Sequence, residues 1–300
     1  LQQMEMKKMF EGAGVALITP FNNDYSVDYE SLGNIINLLI EKDVDYLVLL
    51  GSTGEAATIS RDEKVEIVKF AVNVVNKRVP LVVGCTSNST DDAVENVKLF
   101  SKFDIDGILS ASPYYNKPSQ EGIYQHFKEI SLSTILPIII YNVPYRTGSN
   151  ILPQTCIRLA NDFENIVAIK EASGSIDQIS AILATKPDDF MVISGDDSLT
   201  VPIMAIGAVG AISVAGNCFP ALYSNMVHYA QKGDFDVAKR IFFSMRNFIY
   251  LIFQEGNPSG IKAAMNYSGL CDNVLRKPLL PVSHELYDMI KYEIDKYRLL

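Results

Sequence analysis

Ile166-Val167-Ala168-Ile169-Lys170-Glu171-Ala172-Ser173-Gly174 is a short apolar run that ends in a lysine and breaks at Ser-Gly. Four apolar residues in a row, closed by a turn signal, read as a buried strand. A lysine extending such a strand is costly, because an unpaired ammonium resists desolvation. The same desolvation lowers the lysine pKa and frees the neutral, nucleophilic amine. An exposed lysine is only roughly 0.1 % neutral at pH 7.4. Taken alone, Lys170 also suits the solvent edge of a strand, and the rest of the chain decides between the two.

Outward from this stretch the same pattern recurs. Apolar runs at 14–19, 46–50, 81–84, 107–110, 138–141, 166–170, 191–194 and 211–214 alternate with longer amphipathic segments. Helix starts are marked by Asp28 before Tyr29 and by the capping boxes Ser60-x-x-Glu63 and Ser175-x-x-Gln178. Strands apolar on both faces imply a parallel sheet covered by helices. Eight such units close a barrel, so the fold expected is an α/β (β/α)8 TIM barrel over residues 10–233. The remainder, 234–300, has helical periodicity at 237–253, 260–268 and 283–297 and no flexible linker before it. It is expected to pack on the barrel as a C-terminal helical extension.

A net charge of −9 without a Lys/Arg cluster argues against nucleic acid as a partner. Cys85, Cys156, Cys218 and Cys271 form no C-x-x-C pair, which fits free thiols in a reducing, cytoplasmic compartment. His126, His228 and His284 are too scattered for a metal site and read as surface or interface histidines. The opening Leu1-Gln2-Gln3-Met4-Glu5-Met6-Lys7-Lys8-Met9 lacks a signal-peptide core, and its first residues read as a vector remnant. No Asp, Glu, Lys or Arg lies between Asp197 and Lys232, a span long enough for a bilayer. Pro202, Gly207, Gly210, Gly216, Asn217 and Pro220 punctuate it, however, as in a buried helix–turn–strand–turn–helix, so no membrane partner is expected.

In a (β/α)8 barrel, functional groups gather at the C-terminal ends of the strands. The second strand ends in Gly51-Ser52-Thr53-Gly54-Glu55, hydroxyls flanked by glycines that suit a small anion. The fourth leads into Ser112-Pro113-Tyr114-Tyr115-Asn116-Lys117-Pro118, with paired tyrosines for an interface or a ligand. The fifth ends in Tyr141-Asn142-Val143-Pro144-Tyr145-Arg146, giving a phenol one strand from Lys170 and a planar guanidinium suited to a carboxylate. Ser194-Gly195-Asp196-Asp197 argues against a phosphate pocket after the seventh strand, and Gly12-Ala13-Gly14 does not extend to a dinucleotide motif.

The motifs GSTGE, SPYYNKPSQEG, YNVPYRTG, IVAIKEASG, ISGDD and GAISV, in this order, resemble the dihydrodipicolinate synthase/N-acetylneuraminate lyase family. The resemblance runs from Gly12 to about Pro281. It implies an aldolase-type barrel in which Lys170 forms a covalent imine with pyruvate and no other cofactor is needed. Ser52 and Thr53 match the hydroxyls for the pyruvate carboxylate and proton relay, Tyr141 the proton-shuttling phenol, and Tyr115 a tyrosine supplied across a dimer. Arg146 matches the arginine that receives aspartate semialdehyde in the synthase branch, while Gly195 and Ile212 match backbone positions around pyruvate. The implied reaction is condensation of pyruvate with L-aspartate-4-semialdehyde on the lysine and diaminopimelate branch. The alternative is a 2-keto-acid lyase acting on a sialic or sugar acid, a branch without the arginine. The family's Ser52 position usually holds threonine and its Tyr145 position a smaller residue.

The resemblance also implies a homodimer or tetramer with a lysine-binding pocket at Ala56, Ala57, Arg61, Lys64, Asn88, Asp92 and Tyr114. Arg61 and Lys64 stand where lysine-sensitive relatives carry histidines, so weak inhibition is expected.

Overall fold

In the computed structural model, which describes residues 9–298, the apolar runs become eight parallel strands. They are β1 (Gly12–Ala16), β2 (Tyr46–Leu49), β3 (Leu81–Gly84), β4 (Gly107–Ala111), β5 (Ile138–Asn142), β6 (Ile166–Glu171), β7 (Met191–Ser194) and β8 (Gly210–Ser213). They pair in chain order, and β8 closes on β1 through Gly12↔Gly210 and Gly14↔Ile212. Around them run α1 (Tyr29–Glu41), α2 (Arg61–Val75), α3 (Thr90–Phe100), α4 (Gln120–Leu132), α5 (Pro144–Thr147), α6 (Pro153–Asp162), α7 (Ile176–Thr185) and α8 (Thr200–Ala205). After β8 come α9 (Pro220–Gln231), α10 (Phe235–Gln254), α11 (Ser259–Tyr267) and α12 (His284–Arg298). The expected (β/α)8 barrel with helices after it is therefore the fold.

Period-two alternation divides the core into two layers. Leu47, Leu49, Val83, Ile140, Ile169 and Val192 face the helices. Val48, Val82, Leu109, Ile139, Ala168 and Ile193 fill the barrel. Both faces of each strand are buried, which is why the strands read as unbroken apolar runs.

β1 begins two residues earlier than the sequence suggests, because its glycines are strand residues required by packing. A Cβ on Gly14 would lie 2.4 Å from the Tyr46 ring, and one on Gly210 would lie 2.1 Å from the Gly12 carbonyl oxygen. The uncharged span 198–231 resolves into α8, β8 and α9, and among the described residues no helix is long and apolar enough to cross a membrane. The reading of residues 1–8 as a remnant lies outside the described residues.

The helix starts behave unequally. Ser60 and Glu63 form a reciprocal capping box at α2. Ser175 caps α7 through the Gln178 N–H, but the Gln178 side chain turns instead to Asn150 and Glu171. His126 corrects the expectation of a surface histidine: α4 turns it inward, where it is 2 % exposed and its Nδ1 lies 2.9 Å from Thr90 Oγ1. Burial holds that imidazole well below its ordinary pKa, at about 4, so it is neutral at pH 7. All four cysteines are buried, and none forms a disulfide.

α10, α11 and α12 pack on one another, and α10 also meets α8 and α9. From this region a fully buried Lys262 reaches under the 51–55 turn, its Nζ 2.5 Å from Glu55 Oε1. Lys262 also donates to the Val274 carbonyl, and Glu55 Oε2 accepts the Arg276 N–H at 3.0 Å. The Arg276 guanidinium continues to Glu63 and to the Tyr25 and Thr58 carbonyls. Removing one partner of a buried pair leaves an uncompensated charge, typically costing about 3–5 kcal/mol. Lys262→Met should therefore lower the chemical-denaturation midpoint strongly, and adding Glu55→Gln should recover part of the loss. An unchanged midpoint in the single variant would show that the pair does not hold the turn.

Candidate active site

The register of β5 and β6 sets Tyr141 directly beside Lys170 at the strand ends. Both side chains face the barrel interior and line one cavity of about 990 Å³. Lys170 is 5 % exposed, and its Nζ stands 4.3 Å from the centre of the Tyr141 ring. Burial drives the Lys170 pKa down to about 7. The Arg146 charge pushes it the same way, and Asp197 opposes both. Burial also raises the Tyr141 phenol to about 12, so it keeps its proton at neutral pH. A neutral amine and a protonated phenol side by side suit attack on a carbonyl followed by proton transfer.

Space for the lysine comes from Gly195, where an added Cβ would sit 3.0 Å from Lys170 Cε and Cγ. Asp197 is buried behind it, accepting the Val214 and Ala215 N–H groups at 3.0 and 2.8 Å. That carboxylate ties the end of β7 to the segment after β8. Asp197 thus has a structural use that the sequence alone did not assign.

On the opposite wall lies the 51–55 turn. Ser52 is exposed and Thr53 buried, and both line the cavity. Thr53 Oγ1 accepts a hydrogen bond from Asn257 Nδ2 at 3.0 Å. Arg146, on the one-turn α5, lines the same cavity and donates to the Asn257 main-chain carbonyl at 3.2 Å. Tyr145 lies outward of it, 78 % exposed, with the guanidinium 5.2 Å from its ring centre. The α10 face supplies the remaining wall, including Phe242, Arg246, Asn247 and Tyr250. Asn257 and this α10 face went unread in the sequence, where Asn257-Pro258 marks only a break between helices.

Lys170, Tyr141, Ser52, Thr53, Arg146 and Gly195 are thus brought together. Ile212 is buried among the barrel-interior residues and does not line the cavity, while Val214, two residues on, does. Tyr115 does not line the cavity of its own barrel. It is 86 % exposed in a left-handed backbone (φ 73°), its N–H bonded to the Thr147 carbonyl. Tyr114 beside it is 40 % exposed.

The residues of the implied lysine pocket also lie outside the cavity. Ala56 and Ala57 open the helical turn after β2, and Arg61 on α2 reaches Glu95 on α3 at 3.5 Å. Asn88 is joined to the tyrosine loop through Asn116, while Asp92 lies in the first turn of α3. Burial lowers the Lys64 pKa.

The fold and this cavity define a (β/α)8 barrel with a desolvated, nucleophilic lysine at the mouth of its strands. The chain belongs to the dihydrodipicolinate synthetase family, whose model matches residues 9–296. It is 48 % identical over 290 residues to the 4-hydroxy-tetrahydrodipicolinate synthase of Azobacteroides pseudotrichonymphae, covering 97 % of this chain and 98 % of that one. The synthase of Parabacteroides distasonis is 49 % identical over 281 residues, covering 94 % and 95 %. The crystal structure of dihydrodipicolinate synthase from Aquifex aeolicus superposes with a TM-score of 0.94 at 40 % identity, covering 97 % and 99 %.

At pH 7.4 a lysine of pKa about 7 is roughly 70 % neutral, against about 0.1 % for an exposed one. The rate of imine formation at Lys170, followed by borohydride capture, should rise with pH through about 7 and then level. Because Arg146 disfavours the ammonium, Arg146→Met should move the inflection to higher pH. An inflection near 10 in the parent chain would show that the amine is not desolvated.

Proposed function

We propose that this chain condenses pyruvate with L-aspartate-4-semialdehyde to give 4-hydroxy-tetrahydrodipicolinate, a lyase step in lysine and diaminopimelate biosynthesis. The buried Lys170 amine beside a protonated phenol is the observation that carries this reading. The relatives named as synthases favour it over the sugar-acid lyase alternative.

In this mechanism neutral Lys170 attacks the pyruvate ketone, and loss of water gives the imine. Ser52 and Thr53 supply hydroxyls for the pyruvate carboxylate and for proton relay, and Gly195 leaves the imine room. Tyr141 moves protons to and from the reacting centre as the imine becomes an enamine. The enamine carbon then attacks the aldehyde, whose own carboxylate is held by the Arg146 guanidinium. The amino group of the second substrate next adds to the imine carbon and expels Lys170 as the free amine, which closes the ring of the product. The imine carbon is the electron sink, so the reaction calls on no external cofactor.

Tyr115 enters from a second copy of the chain, which makes the working unit a homodimer or a pair of dimers. Its exposure and its distance from its own cavity support this. A cytoplasmic location is proposed from the four cysteines, none of which forms a disulfide.

Borohydride with pyruvate should add mass to the peptide carrying Lys170, and Lys170→Ala should abolish labelling and turnover. Arg146→Ala should raise KM for the aldehyde by roughly 10- to 100-fold, the worth of a charge-assisted pair, while imine capture proceeds. Sedimentation at assay concentration should show no active monomer. Labelling at another lysine, or an Arg146→Ala defect confined to pyruvate, would overturn the assignment.

Free lysine is proposed to inhibit only weakly, at Ala56, Ala57, Arg61, Lys64, Asn88, Asp92 and Tyr114. Arg61 and Lys64 set fixed cations against the ligand's ammonium groups. One such pair at about 6 Å costs on the order of 3 kcal/mol at an effective dielectric near 20, before screening. A coupled assay should show little loss of rate at millimolar lysine, and submillimolar inhibition would refute the proposal.

A further inference from the structure

We propose that Asn257 is a positioning residue that fixes the Thr53 hydroxyl as a hydrogen donor toward the pyruvate pocket. This rests on the reading of the cavity given above. Asn257 itself lines the cavity, beside Thr53 and Arg146. It sits in the break between α10 and α11, 8 % exposed, and makes two long-range contacts. Its Nδ2 donates to Thr53 Oγ1 at 3.0 Å, and its main-chain oxygen accepts from Arg146 at 3.2 Å. One residue of the C-terminal helices thus touches both groups assigned to the substrate carboxylates.

Asn257 is placed with Nδ2 toward Thr53 Oγ1, while its Oδ1 is buried with no hydrogen-bond partner among the described residues; the polarity of the first contact follows from that placement. An amide NH2 has hydrogens to give and no lone pair to offer in that direction. Thr53 Oγ1 must therefore accept, and its single hydrogen has to point elsewhere. No other hydrogen bond to this oxygen exists among the described residues, and Thr53 is 3 % exposed with the cavity on its open side. The free hydrogen is consequently left for a group inside the cavity. A keto-acid carboxylate has only acceptors, so a hydroxyl already set as a donor needs no reorganisation to receive it. Serine or threonine at 257 would leave the polarity open, because a hydroxyl both gives and takes. Aspartate would reverse it, taking the Thr53 hydrogen and placing a charge beside the incoming carboxylate.

The test compares Asn257→Ala, Asn257→Asp, Thr53→Val and the double variant Thr53→Val/Asn257→Ala in the full chain. Half-saturation of borohydride capture by pyruvate is read first, because it needs no second substrate. Asn257→Ala should weaken pyruvate by about tenfold, the worth of one hydrogen bond to an ionised group. KM for the aldehyde should change less, since the main-chain contact to Arg146 survives the substitution. Asn257→Asp should be weaker still at pH 8 and should recover toward the alanine variant as the pH falls and the aspartate protonates. In the Thr53→Val background, Asn257→Ala should have no further effect on pyruvate, because the hydroxyl it orients is gone. Equal losses in both backgrounds, or a pyruvate affinity unchanged by Asn257→Ala, would overturn the proposal. If the parent chain itself fails to capture pyruvate, the functional reading fails and not this inference alone.

Discussion

A carboxylate and an ammonium, both wholly withdrawn from water, hold the 51–55 turn in place. Glu55 adopts a left-handed backbone (φ 54°) at the point where β2 gives way to the helical turn before α2. Its side chain runs under the turn to Lys262, and Arg276 closes the other oxygen. Such a pair adds little net stability over a well-packed apolar substitute. Its effect is directional: the turn has one position in which both charges are satisfied. Ser52 and Thr53 inherit that position. The helices after the barrel are accordingly the rear support of one wall of the cavity, and Asn257 extends the same support to Thr53 and Arg146.

Across the cavity the balance of charge is tuned differently. Lys170 has no close countercharge of the kind that Lys262 enjoys. Desolvation and Arg146 favour the free amine, and the buried Asp197 tempers the shift without bonding to the lysine. The two lysines buried among the described residues therefore meet opposite fates from the same initial cost. Lys262 is paired with Glu55, while Lys170 has no ion pair among the described residues and its pKa falls to about 7. The contrast lies in the neighbours, since burial alone lowers the pKa of both.

Much of this could be read along the chain, and the limits have physical causes. Lys170 and Tyr141 were legible because strand ends at a barrel mouth share a height, and β5 and β6 are neighbours both in sequence and in space. The strands themselves were legible because both faces are apolar. β1 was started two residues late because Gly12 has no apolar side chain to extend the run, and the need for glycine there shows only once Asp45 and Gly210 are known to lie against it. His126 was misjudged because an isolated histidine on an amphipathic helix gives no sign of which face turns inward. Asn257 and Lys262 could not be assigned at all. Their partners lie some two hundred residues away, and no local pattern encodes a hydrogen bond of that span.

The four cysteines carry a practical consequence. Each is shielded from solvent, and burial raises the thiols of Cys85, Cys156 and Cys271 far above the pH of any ordinary labelling buffer. In the folded chain, the thiolate chemistry of these three is thereby suppressed, and Cys218 is buried. A single cysteine introduced at a surface position would stand alone before a maleimide dye or spin label. The native sequence is therefore ready for site-directed labelling at an exposed position such as Ile135.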